Sequence, residues 1–176
     1  MTRVNAPDSR ILHLLTALSA AFLIVGAYFL EERLGLKPCP ICISQRLVVA
    51  IVALSALLAF VHRPDRQGKR VYGLIFMAAG LCGCALSIRQ LYLQSLPPES
   101  APACMPDLSY LVDILPLSEL AMVMLSGTGD CAEVQWRFMG LSIPGWTLLF
   151  CIGYALVGLM EMVRKHPLRT EQTLMR

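Results

Sequence analysis

The chain has 176 residues, 56% of them hydrophobic and only 15% charged, with a formal net charge of +3 and a mean hydropathy of +0.62. Soluble domains carry about 25% charged residues, and a chain this short needs polar groups over much of its surface; a soluble enzyme and a disordered chain are both excluded. A nucleic-acid partner is excluded too, since that needs a contiguous basic face and the sequence has none.

Crossing a hydrocarbon core about 30 Å thick takes about 20 apolar residues as a helix. Four segments qualify, which predicts an all-α integral membrane four-helix bundle, a single membrane domain over residues 1–176. The first span, residues 11–30, has no charge and only His13 as a titratable group. Its apolar run exceeds a signal-peptide core, and Glu31, Glu32 and Arg33 follow in place of small residues, so it reads as a retained span. The second, 43–61, is apolar except for Ser44, Gln45, Arg46 and Ser55. The third, 71–93, holds Arg89 and Gln90 near its far end, and the fourth, 143–163, holds Glu161.

Lys and Arg in short loops set orientation. Arg3 and Arg10, then Arg63, Arg66, Lys69 and Arg70, then Arg164, Lys165, Arg169 and Arg176 all fall on one side of a four-span chain. Both termini are therefore expected in the cytoplasm. Loops 31–42 and 94–142 are expected outside. The longer one is acidic, with Glu99, Asp107, Asp113, Glu119, Asp130 and Glu133 against Arg137 alone. Pro97, Pro98, Pro102 and Pro106 predict a non-helical arm over 95–107. Leu108, Leu111, Val112, Leu115, Leu120, Val123 and Met124 then form a helix-like apolar stripe, interrupted by Pro116. It predicts a short amphipathic helix, on the membrane surface or packed on protein.

Seven cysteines divide by position. Cys82, Cys84 and Cys151 lie inside spans and read as small apolar filler. Cys39, Cys42, Cys104 and Cys131 fall on the outer side. They could form static disulfides, a four-thiolate zinc site or redox-active pairs. Only Cys39 and Cys42 have C-x-x-C spacing, which favours a reactive thiolate; a structural zinc site more often takes two such knuckles. The spacing therefore favours redox chemistry without removing the other two readings.

Arg46 follows Cys42 by four residues, one helical turn down the same face, at the bilayer edge. An ionisable residue there is a functional candidate, able to stabilise a thiolate or an anionic acceptor; the plainer reading is snorkelling. Gln90 and Arg89 sit at similar depth and could line the same pocket or cap their span. A dithiol at the membrane surface beside an arginine suits a lipid-soluble quinone, although no motif singles that acceptor out. Ile43 after Cys42 excludes a c-type haem attachment, and no nucleotide-binding glycine fingerprint is present.

Taken in order, Leu36-Lys37-Pro38-Cys39-Pro40-Ile41-Cys42 with Gln45-Arg46, then Cys104, then Gly129-Asp130-Cys131-Ala132-Glu133 with Gln135-Trp136, Phe138, Gly140-Leu141, Pro144 and Trp146, resemble the DsbB family. These are inner-membrane disulfide bond formation proteins of Gram-negative bacteria. The resemblance implies a protein-dithiol:quinone oxidoreductase. Its catalytic cysteines would be Cys39, Cys42, Cys104 and Cys131, paired Cys39–Cys42 and Cys104–Cys131. Cys104 would form the mixed disulfide with a DsbA-like periplasmic thioredoxin-fold partner, against which Pro102, Ala103 and Met105 would lie. Arg46, Cys42 and Gln90 would face ubiquinone or menaquinone, with no metal. The bacterial inner membrane, with redox loops in the periplasm, is the implied location. Two rivals stand beside this reading. A vitamin K epoxide reductase-like enzyme also has four spans, but carries its C-x-x-C late in the chain. A metal-binding or purely structural membrane protein would use the same thiols statically.

Overall fold

The computed structural model describes residues 8–100, 102–103 and 108–164. Among the described residues, four helices are long and apolar enough to cross a membrane: α1 (Ser9–Leu34), α2 (Pro40–His62), α3 (Arg66–Ser95) and α6 (Ile143–Val163). Between α3 and α6 lie two short helices, α4 (Leu108–Ile114) and α5 (Leu117–Ser126), and a minimal hairpin, β1 (Arg137–Phe138) with β2 (Leu141–Ser142).

Local chemistry sets the ends. Gly35, at φ +64°, closes α1 in the left-handed conformation that a side chain disfavours. Cys39 then stands as the extended N-cap of α2, with Pro40 in the first turn, where its missing N–H is no loss. Asp65 caps α3 by accepting from the Gly68 N–H at 2.9 Å. Met139 and Gly140, both at positive φ, make the two-residue turn joining β1 to β2.

Glycine governs the tightest packing. A Cβ added at Gly158 would strike the Gly73 carbonyl and the Met77 nitrogen, and one at Gly80 would lie 2.6 Å from the Ala155 nitrogen. Small residues therefore let α3 and α6 touch backbone to backbone, as membrane helices do when no hydrophobic drive separates protein from lipid. Ala17, Ala20, Val49, Val52, Ala56, Phe76 and Tyr154 form the central core. The outward faces are apolar as well, Phe22, Leu54, Leu81 and Leu156 among them, which suits a hydrocarbon solvent and no other.

Glu161 is fully buried near the end of α6, with His13 of α1 beside it. Their side chains stand 4.0 Å apart, Ser9 donates to the carboxylate at 3.4 Å and Arg164 lies 3.7 Å from it. This polar cluster ties α1 to α6.

Three expectations need correction. The stripe over 108–124 forms two helices instead of one, because Pro116 lacks the N–H that would continue α4 and instead becomes the N-cap of α5. The loop expected over 31–42 shrinks to 35–39, since α1 runs on through Leu34 and α2 begins at Pro40. The arm expected to be non-helical holds one 3₁₀ turn, Pro98–Ser100.

Candidate redox site

The site is assembled where the start of α2, the far end of α3 and the turn before β1 meet. Cys39, Ile41, Leu86, Leu93 and Cys131 form a second buried cluster there. Gly127, at φ +80°, lets the chain after α5 pass over it; a Cβ would come within 2.8 Å of Leu93. The next turn, Gly129–Cys131, delivers the fully buried Cys131 to Cys39.

Three thiols share this cluster. The Cys39 and Cys42 sulfurs lie 2.9 Å apart, a hydrogen bond where a disulfide would measure about 2.05 Å. Cys131 joins Cys39 in the same buried cluster. The Cys39 thiol is pushed strongly up, first by the neighbouring Cys131 and Cys42 sulfurs and then by burial. Cys131 moves the other way, down to about 6, chiefly through the neighbouring Cys39 thiol, against the opposing effect of burial. Backbone N–H groups of Thr128 and Ile41 add to the effect. Ile41 is in the first turn of α2, so a helix N-terminus faces this sulfur, where negative charge is favoured. The arrangement favours the charged form at Cys131 and the neutral form at Cys39.

Cys42 is held from α3. The buried Gln90 donates its amide to Cys42 Sγ at 3.2 Å and to Cys39 Sγ at 3.5 Å. Its carbonyl oxygen accepts from Gln45 Nε2 at 3.1 Å, and Gln45 also donates to Ser87 at 3.3 Å. A neighbouring donor thus fixes which end of the Gln90 amide meets sulfur.

Beside these sulfurs opens an apolar cavity of about 710 Å³, within the range of small-molecule sites. Cys39, Cys42, Gln45, Arg46 and Gln90 contribute to its wall, with Glu31 from α1. The opposite contributors include Trp136, Phe138 and Trp146. Trp136 and Phe138 are stacked at 5.7 Å, Trp146 lies 6.1 Å from Phe138, and the Trp146 indole donates to the Phe138 carbonyl at 3.2 Å.

Arg46 does not merely extend outward. Nη1 donates to Glu31 at 2.9 Å, Nη2 bonds the other carboxylate oxygen, and the Tyr28 ring centre is 5.1 Å from the guanidinium carbon. Arg89, the other arginine considered for the pocket, is elsewhere: it is exposed and donates to the Ser126 carbonyl at 3.2 Å. Pro102 and Ala103 are exposed, and the Ala103 carbonyl accepts from the Gly129 N–H at 3.2 Å. That bond brings the arm close to the Cys131 turn. Cys104 and Met105 lie outside the described residues.

Glu31, Gln45 and the Trp136–Phe138–Trp146 wall were not singled out as site residues from the sequence. For Glu31 a signal was available: an acid near the end of one span, with an arginine near the start of the next.

A family profile described as "Disulfide bond formation protein DsbB" matches residues 9–160. The chain is 47% identical to "Disulfide bond formation protein B" of Marinobacter nauticus over 152 residues, 86% of this chain and 90% of that one. It is 44% identical to the protein of the same name from Hahella chejuensis over 157 residues, 89% and 95% of the two chains. To "Disulfide bond formation protein B 1" of Pseudomonas aeruginosa it is 36% identical over 156 residues, 89% and 96% of the two.

Proposed function

We propose a function from the premise that the chain belongs to the DsbB family of disulfide bond formation proteins and is a multi-pass membrane protein: it reoxidises a periplasmic dithiol protein of the DsbA-like thioredoxin fold and passes the electrons to a membrane quinone. The observation that carries this reading is one cavity whose wall includes Cys39, Cys42, Arg46 and Gln90, with Cys131 in the same buried cluster as Cys39.

The relay runs by thiolate attack on disulfides through mixed intermediates. A partner thiolate attacks Cys104 of a Cys104–Cys131 disulfide and releases Cys131. The partner's second thiol resolves that mixed disulfide, leaving the partner oxidised and Cys104 reduced. Cys131 attacks Cys39 of the Cys39–Cys42 disulfide, releasing Cys42 as a thiolate; Cys104 then resolves the Cys39–Cys131 bond. The thiolate character of Cys131 and its contact with Cys39 suit the third sulfur transfer. Pro102, Ala103 and Met105 flank Cys104 in sequence and would lie extended in a thioredoxin-fold groove.

A quinone fits the residues present. The cavity is apolar, as a quinone ring with an isoprenoid tail requires, and carries few polar groups, which is how ligand pockets fix orientation. Quinone supplies the two-electron sink that returns Cys39 and Cys42 to the disulfide. Arg46 would hold a carbonyl oxygen and stabilise charge there. Gln90 would keep Cys42 charged and oriented by its N–H donor. The aromatic wall would exclude water. Ubiquinone and menaquinone are both candidates. The inner membrane, taken from the family, completes the proposal, with cytoplasmic termini and periplasmic redox loops from the charge bias of the loops.

Quinone reduction by the purified protein, with a reduced DsbA-like protein as donor and absorbance as readout, tests the reading. Catalytic turnover that disappears in Cys104→Ser, while the reduced Cys39–Cys42 pair of that variant still reacts with quinone, is the expected result. Arg46→Ala should raise the apparent KM for quinone. Absence of turnover with both ubiquinone and menaquinone would overturn it. Stoichiometric zinc, lost on replacing Cys39, would then favour a metal site.

A further inference from the structure

We infer that Glu31 is a positioning residue for Arg46, holding the guanidinium at the cavity wall so that its remaining donors serve the carbonyl oxygen of a bound quinone; the inference rests on the quinone reading above. An arginine at a bilayer edge left to itself extends its head toward water. Here the Glu31 carboxylate takes both Nη groups side by side, the planar geometry that fixes a guanidinium most strictly. The pair is mostly enclosed, with 22% of the Arg46 side chain and 18% of the Glu31 side chain exposed. Tyr28, one turn before Glu31 on the same face of α1, adds a ring 5.1 Å from the guanidinium carbon. So α1 supplies two contacts to a side chain of α2, and both Glu31 and Arg46 face the cavity.

The chemistry favours positioning over charge supply. The fork has five N–H donors, and the bidentate pair uses two. A quinone is neutral when it binds, so it needs a donor at a fixed place, not net positive charge. Pairing Arg46 with Glu31 keeps the wall neutral and lowers the cost of keeping a cation beside an apolar cavity. Fixing the donor beforehand also removes the entropy of ordering a long side chain on binding.

The test uses a built-in reporter: both tryptophans of the chain, Trp136 and Trp146, line the cavity. A short-chain ubiquinone analogue is titrated into the detergent-purified full chain, following quenching of tryptophan fluorescence, alongside steady-state quinone reduction. Glu31→Ala should weaken binding and raise KM by about five- to tenfold, with kcat within about twofold, on the scale of one lost preorganised charge-assisted contact. Glu31→Asp, which keeps the carboxylate, should recover part of the loss. In an Arg46→Ala background, Glu31→Ala should add nothing, since a residue acting through another loses its effect when the other is gone. Wild-type affinity in Glu31→Ala, with weakened binding in Arg46→Ala, would overturn the inference and leave the quinone reading standing. So would losses that add in the double variant. No quenching and no quinone reduction by the wild-type chain would overturn the quinone reading itself. A melting temperature measured for each variant separates lost positioning from lost folding, and Glu31→Gln, uncharged but of equal length, repeats the comparison if Glu31→Ala does not fold.

Discussion

Gln90 donates its side-chain amide to the Cys42 sulfur at 3.2 Å, across 48 positions of sequence and from one membrane helix to another. That bond depends on a second glutamine, because Gln45 donates to the Gln90 oxygen at 3.1 Å and so turns the N–H end toward sulfur. Removing the donor in Gln90→Ala should slow alkylation of Cys42 in the reduced protein by about tenfold at neutral pH, the size expected for a hydrogen bond to a charged group. Gln45→Ala should slow it less, since Gln90 can still reach the sulfur in one of its two orientations. The two rates, read by mass spectrometry after timed iodoacetamide exposure, check both expectations.

Cys131 should carry the pH dependence of the cluster. Its thiol is lowered to about 6, with the neighbouring Cys39 thiol as the largest cause. A lowered thiol is reactive above that value and loses reactivity as pH falls through it. Alkylation of Cys131 in the reduced protein should therefore be near its maximum at pH 8 and half-maximal near pH 6. In Cys39→Ala the midpoint should move up toward the ordinary thiol range of about 8.5. A midpoint unmoved by that substitution would assign the effect to the backbone N–H groups of Thr128 and Ile41 instead.

The seam between α3 and α6 should be sensitive to a single methyl group. Gly158 faces the Gly73 carbonyl and the Met77 nitrogen, and these are backbone atoms that cannot rotate away. Gly158→Ala should destabilise the fold by about 1–3 kcal/mol, the usual cost of overpacking a tight interface. Gly153→Ala is the control, because a Cβ there meets nothing within 4 Å. Thermal unfolding in detergent should separate the two.

The three cysteines within the spans should be dispensable for chemistry. Cys151 is buried against Gly83, and Cys82 is exposed on the outer face of α3. A triple replacement of Cys82, Cys84 and Cys151 by alanine should retain quinone reduction within about twofold, as expected of cysteine used as small apolar filler. Loss of turnover at an unchanged melting temperature would give them a redox role.

Some of this was readable from the chain alone. The four helices were, because hydropathy over 20 residues is a local property. Their ends were not: α1 runs on through the charged Glu31, Glu32 and Arg33 to Leu34, and α3 starts at Arg66, since backbone hydrogen bonds continue where apolar side chains stop. Two short helices replace one at Pro116, because an apolar stripe is blind to the missing N–H that ends the helix carrying it.

By itself the sequence determined what is set within one helical turn: the Cys39–Cys42 spacing at the start of a span, and Arg46 four residues further on the same face. It also determined the solvent, through a composition too apolar for water. The tertiary structure alone decided which groups answer those residues. Glu31 meets Arg46 across the α1–α2 turn, Gln90 reaches Cys42 from α3, and Cys131 arrives at Cys39 from the turn before β1. The reason is physical. Periodicity says which face of a helix a residue occupies, but the neighbour facing it depends on how closely helices approach, a distance that glycines such as Gly80 and Gly158 set between α3 and α6.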